Sequence, residues 1–162
     1  MAVHKLNIED FDDIDYQLIA IHTTLEDYRL AYFINQQLNL QLKKTNCSIP
    51  IANKTGETQF SRFLFEDFKN DIVWNLIENQ QYIECNDISF NQGLFATSRT
   101  NLTTKIYLVP EYKKVDFFLK IEDQNKSIET EKITSTIKNI AKISTHYFID
   151  VEKIKSKNNL IF

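Results

Sequence analysis

Between Lys105 and Glu122 the chain alternates side-chain character on both sides of a proline, and that pattern admits little besides β-structure. Ile106 and Leu108 alternate with Tyr107 and Val109, and past the break Val115, Phe117, Leu119 and Ile121 alternate with Asp116, Phe118, Lys120 and Glu122, the two-residue period of strands. Pro110 has no N–H to give a ladder and biases Val109 toward extended geometry, so a strand is expected to end there. Glu111 to Lys114 then reads as the connection of a hairpin. Val109, Pro110, Glu111, Val115, Asp116 and Phe117 would set its turn and register, with Glu111 and Asp116 at one end of the sheet. General acid/base work would need one of these carboxyls desolvated. The preferred expectation is structural or docking: the carboxylates accept hydrogen bonds from the turn or pair with Lys105, Lys113 or Lys114.

Val109-Pro110-Glu111, then Tyr112 to Lys114, then Val115-Asp116-Phe117 is similar to the signature of the IPExxxVDY family. Val109 stands where that signature has Ile, and Phe117 where it has Tyr. Leu25-Glu26-Asp27-Tyr28, Leu30-Ala31-Tyr32 and the stretch Asn159-Leu160-Ile161-Phe162 extend the resemblance over the full length. It implies a small one-domain cytoplasmic protein of Bacteroidetes-type bacteria, without assigned activity or catalytic residues. It also implies a gene neighbourhood holding ribonuclease III and fatty-acid synthesis enzymes.

The 162 residues fit a single domain (1–162), and a chain of this length buries about 70% of its unfolded surface. Hydrophobic residues at 43% against 25% charged place it among globular chains rather than disordered ones. A net charge of −3 gives no general drive toward phosphate backbones, so nucleic acid is not expected as the main partner. No apolar run reaches the ~18 residues of a spanning helix, and acids follow Met1 to Lys5 where a signal peptide would be apolar. A cytoplasmic protein is expected, with Cys47 and Cys85 as free thiols.

Residues 1–15 form an acidic arm, with Glu9, Asp10, Asp12, Asp13 and Asp15 among Ile8, Phe11 and Ile14. No glycine makes the sharp turn of a calcium loop there, and no metal is expected. Tyr16 to His22 is a continuous apolar run suited to an interior strand. Thr24 is expected to open a helix, with Asp27 placed as a capping-box acid. Leu30, Phe33, Ile34 and Leu38 share one helical face, while Tyr28, Ala31 and Tyr32 make a second stripe. Tyr28 and Tyr32 are therefore candidates for a partner face, although aromatic stripes more often belong to a core.

Asn39 to Lys44 reads as a strand and Thr45 to Thr58, with Pro50 and Gly56, as the longest loop. From Phe60 to Thr97 short apolar stretches separated by Lys69-Asn70-Asp71, by Asn79-Gln80-Gln81 and by Gly93 read as an antiparallel meander. Ser127 is expected to open a second helix whose stripe of Ile133, Ile137, Ile140 and Ala141 lies on the sheet. His146 to Val151 is the last strand candidate. The tail 152–162 is basic through Lys153, Lys155 and Lys157, then apolar through Leu160, Ile161 and Phe162. An apolar end is expected to dock on its own domain or on a neighbour.

Two glycines cannot supply a dinucleotide or phosphate loop, and none of His4, His22 and His146 has a second histidine or a cysteine at helical spacing. No cofactor is expected, and the chain leans away from being an enzyme. The expected fold is α+β: an antiparallel sheet of about six or seven strands, a strand–helix opening and a late helix on one face. The expected function is a non-enzymatic interaction or regulatory protein that docks a protein partner or a second copy. The alternative is a binder of a small apolar molecule in a pocket lined by some of the twelve phenylalanines and seven tyrosines. An RNA-associated role through Lys113, Lys114, Lys153, Lys155 and Lys157 comes third.

Overall fold

A computed structural model describes residues 16–46, 49–53, 56–85 and 102–162. In chain order the elements are β1 (Tyr16–Thr23), α1 (Asp27–Leu38), β2 (Lys43–Lys44), β3 (Ile49–Asn53), β4 (Gly56–Phe60), β5 (Arg62–Asp67), β6 (Ile72–Glu78), β7 (Gln80–Cys85), β8 (Leu102–Tyr107), β9 (Phe117–Asp123), α2 (Thr130–Lys138) and β10 (Ile143–Ile149). A six-stranded antiparallel sheet has the order β10-β1-β9-β6-β5-β2, and β3-β4 and β7-β8 form two-stranded ribbons. The expected α+β class is the one found.

β1 lies between β10 and β9, which explains its unbroken apolar run: Leu18, Ile19, Ala20 and Ile21 are all fully buried. Ile19 and Ile21 point to one face, where they join Leu30, Ala31 and Ile34 of α1 and Ile133 and Ile137 of α2 around Trp74, Leu76 and Leu119. Leu18 and Ala20 point to the other, where Ile77 and Phe118 meet Leu108, Val109, Val115, Val151, Ile154 and Leu160. Both faces of the sheet are thus filled by side chains, each fully buried Leu, Ile or Phe contributing about 1.5–3 kcal/mol. Leu160 docks on its own domain, as one branch of the expectation for the tail had it, while Ile161 stays exposed.

The hairpin expected over 105–122 is corrected. β8 pairs with β7, and β9 pairs with β6 and β1, so β8 and β9 are not partners. β6 and β7 are separated only by Asn79 and run on as one line; Glu78 stands opposite Phe117 and Gln80 opposite Tyr107. β8 and β9 are therefore two pieces of one strand line, and residues 108–116 are an excursion from it. Alternation identifies a strand but carries no information about its partner.

Several boundaries move for local reasons. α1 starts at Asp27 behind Glu26, with no side-chain cap; the Asp27 carboxylate is taken up by Lys44 and Ser61 instead of closing a capping box. The helix stops at Asn39, whose left-handed backbone (φ 53°) returns its N–H to the Asn35 carbonyl. α2 starts at Thr130 rather than Ser127, because the Ser127 hydroxyl and the Ile128 N–H are held by the Asp123 carboxylate. The expected long loop over 45–58 contains the β3-β4 ribbon, with Pro50 opposite Gln59 on a strand that has one neighbour. Of the expected meander, β5 and β6 do pair across the turn at Lys69-Asn70-Asp71, whereas β7 continues β6 in line instead of turning back on it, and β1 is inserted between β9 and β10. The acidic arm 1–15, Cys47 and the strand candidates at 87–97 lie outside the described residues.

Candidate functional site

The signature residues gather around Asn79, a fully buried residue at the junction of β6 and β7. Its backbone closes the base of the excursion: its N–H donates to the Asp116 carbonyl at 2.9 Å and its carbonyl accepts from the Leu108 N–H at 2.9 Å. Its side chain fills the excursion. Nδ2 donates to the carbonyls of Tyr112 and Val115 at 2.9 Å each, and Oδ1 accepts from the Val109 N–H at 2.9 Å. Gln80 adds bonds from its Nε2 to the Lys113 and Val115 carbonyls and to Asp116 Oδ1. Pro110 opens a single 3-10 turn, Pro110–Tyr112, where its missing N–H costs nothing. Val109 and Val115 are buried in the second core, and Phe117 in the first.

The two signature carboxylates go to different tasks. Asp116 Oδ2 accepts the Thr23 N–H at 3.0 Å and so fixes the end of β1. Glu111 reaches the tail: Oε1 accepts the N–H groups of Lys155 and Ser156 at 2.8 Å, and Oε2 accepts the Ser156 hydroxyl at 2.7 Å. Partial burial pushes the Glu111 carboxyl up, but the Ser156 hydroxyl and the backbone N–H groups outweigh it and hold it below the usual glutamate range.

A folded-state carboxyl lowered in this way stabilises the protein above the ordinary glutamate value, and the contribution is lost as pH falls through the lower folded value. Glu111→Gln should therefore cost about 1 kcal/mol or less near neutral pH, since solvent screens this exposed site. Protection of the Lys155 and Ser156 amides, their exchange measured against the intrinsic base-catalysed rate at each pH, should fall on acidification in the wild type. The same acid dependence in Glu111→Gln would assign it to another group.

A cleft of about 470 Å³ opens at the sheet end where β1, β9, β6 and β5 finish. It is lined by Asp27, Tyr28, Lys44, Ser61, Glu78 and Asp116, among others. Asp27 Oδ2 accepts from Lys44 Nζ at 2.9 Å and from Ser61 Oγ at 2.7 Å, and Oδ1 from the Tyr28 N–H at 2.7 Å. Burial would raise the Asp27 carboxyl, but those donors hold it below its ordinary value; burial and then the Asp27 charge push Glu78 up. The two carboxyls are separated in acidity, and each carboxylate has its own donors: Asp27 takes Lys44 and Ser61, Glu78 takes Gln81, and Asp116 takes Gln80 and the Thr23 N–H. Tyr28 rims the cleft, and both Tyr28 (59% exposed) and Tyr32 (62%) face outward, while Ala31 of the same stripe is buried in the first core. His22 does not join Glu26 or Asp27 in any contact; it stacks on Tyr147 at 5.6 Å.

A second groove, also about 470 Å³, is lined by Pro110, Glu111, Tyr112, Lys113, Lys114, Val115 and Tyr147. Tyr147 belongs to β10, an outer strand of the sheet, and among the described residues nothing pairs with its outer edge. Ile143 to Ile149 contains no charged residue and no proline. Edges are commonly blunted by being short, by lysine or by proline. The opposite edge obeys this rule: β2 is two residues long, both exposed lysines. Local sequence patterns marked neither Asn79, which reads as a turn residue, nor Tyr147. The signals available were an asparagine interrupting a long alternation and the uncharged run 143–149.

Among the described residues no three His, Cys, Asp or Glu side chains gather as a metal site, and no helix is long and apolar enough to cross a membrane. Comparison with protein-family models, with curated proteins and with solved structures finds no match.

Proposed function

We propose that this chain is a protein-interaction module that docks an extended segment of a partner along the outer edge of β10. One observation carries this reading: an unblunted strand edge adjoins an open groove, and Tyr147 belongs to both. Strand addition takes affinity from main-chain hydrogen bonds and specificity from side-chain pockets beside the edge. In that arrangement the signature segment supplies the pocket wall and Asn79 holds the wall in place. The resemblance to the IPExxxVDY family agrees with a non-catalytic role, and the placement of Glu111 and Asp116 in backbone hydrogen bonds supports it. A small apolar ligand within the sheet is the less favoured alternative, since Phe60, Phe63, Phe117 and Phe118 are built into the two cores. Glu111 does bring the tail beside the turn lysines Lys113 and Lys114, but Glu111, Asp150 and Glu152 interrupt that basic surface, which weakens an RNA reading.

The test is tagged full-length protein exposed to extract of the source cells, with residue-resolved cross-linking of what binds. Cross-links should fall on 144–148 and on Tyr112 to Val115. Tyr147→Lys, which puts a charge on the edge, should reduce capture at least tenfold, while a Tyr28→Ala, Tyr32→Ala double variant should keep it. The reverse pattern, with each variant shown to be folded, would move docking to α1.

A further inference from the structure

We infer that the segment docked along β10 is β10 of a second copy, paired antiparallel about a twofold axis at His146. This rests on the docking reading above and names its partner.

Three observations select a second copy. First, β10 is uncharged throughout, so laying it against itself brings no like charges together on the strand. Second, the alternation is self-matching. Pairing to β1 sets Thr145, Tyr147 and Ile149 on the face of His22, Ala20 and Leu18, and His146 and Phe148 on the face of Ile21 and Ile19. A twofold at His146 places Thr145 opposite Tyr147 of the second copy and Ser144 opposite Phe148. Directly opposed residues must share a face, and Thr145 and Tyr147 do; Ser144 is the residue left unpaired at the irregularity between Thr145 and Ile143, so the regular match ends at Thr145. Tyr147 and Phe148, each 39% exposed, would be covered. Third, the flanks complement one another. Lys142 precedes β10 and Asp150 follows it, both exposed, so the twofold sets each flank toward the opposite charge of the second copy, where Asp150 also holds Lys153 at 2.9 Å. The result is a continuous sheet across both copies, with the two short β2 edges outermost.

The purified full chain should sediment and scatter light as a dimer. His146→Lys alone and His146→Glu alone each set like charges face to face at the axis and should weaken the dimer about tenfold or more. An equimolar mixture of the two variants should restore it. His146→Cys, in a Cys47→Ser, Cys85→Ser background, should form a disulfide between copies under mild oxidation, because opposed Cα atoms lie about 4.5–5.5 Å apart, within disulfide reach. Ser135→Cys on the exposed side of α2 should not.

A wild type that stays monomeric up to millimolar concentration overturns the inference, as does a dimer indifferent to both charge variants. If the monomeric wild type still captures a partner that Tyr147→Lys loses, self-pairing falls and edge docking stands; if it captures none, both fall.

Discussion

Asn79→Ala is expected to lower the stability of the protein by about 3–5 kcal/mol. The substitution deletes the three heavy atoms of a fully buried carboxamide, so a small cavity adds to an effect that is mainly polar. It strips the Val109 N–H and the Tyr112 carbonyl of their side-chain partner and leaves the Val115 carbonyl with Gln80 Nε2, two of the three lost bonds being fully buried. A buried polar group left unsatisfied costs about 1–3 kcal/mol. At roughly 2–4 °C per kcal/mol for a chain of this size, Tm should fall by roughly 6–20 °C. Asn79→Asp should do no better, since a carboxylate can accept from Val109 but has no N–H for the two carbonyls and would place its charge against them. Urea or thermal unfolding would measure both, and a loss below about 1 kcal/mol for Asn79→Ala would show that the excursion holds its shape without that side chain. The same variant probes the groove, whose wall is the segment Asn79 holds.

Lys120→Ala should be the next most damaging change, at about 3–4 kcal/mol. Lys120 lies in the second core at 5% exposure. Its ammonium donates to the Leu160 carbonyl at 2.8 Å, meets Glu122 at 2.8 Å, and stands 4.6 Å and 4.8 Å from the ring centres of Tyr16 and Phe162. Replacing a buried ion pair by apolar groups is often harmless, and here Glu122 is itself partly exposed and can turn to water. Lys120→Met, which keeps the apolar stem, should therefore cost less, about 2 kcal/mol, from the orphaned Leu160 carbonyl and the lost ring contacts. Alanine adds the cavity. Both variants should loosen the last turn, seen as faster amide exchange over 157–162. A neutral Lys120→Met with unchanged exchange there would mean that Leu160 is held by packing alone.

The two effects also mark where sequence was and was not informative. Burial of Leu30 and Ile34 on one face of α1 and of Ile133 and Ile137 on α2 was legible, because helical spacing reports directly on a helix's own covered side. The interior position of β1 was legible for the same kind of reason: no outer strand needs four consecutive apolar residues. What alternation could not report was partnership. Val115 to Ile121 looks the same whether its neighbour is Lys105 to Val109 or Ile72 to Glu78, so a hairpin was expected where an excursion stands. Asn79 was hidden because its role depends on carbonyls 33 and 36 positions away. The hydrogen-bond partners of Glu111 and Asp116, the tail and β1 rather than the turn, are equally remote in sequence.

The place of β1 between β9 and β10 has a consequence for biosynthesis. β1 is made early, yet both its neighbours are made late, the nearer one starting about a hundred residues on. At roughly 5–20 residues per second, Leu18 to Ile21 wait on the order of ten seconds after synthesis with neither edge satisfied. During that interval β5 and β6, adjacent in sequence, can close on each other, while the four consecutive apolar residues of β1 can be bound by a chaperone or by the same strand of another nascent chain. Dependence on translation speed through residues 24–116 is thus written into the strand order itself.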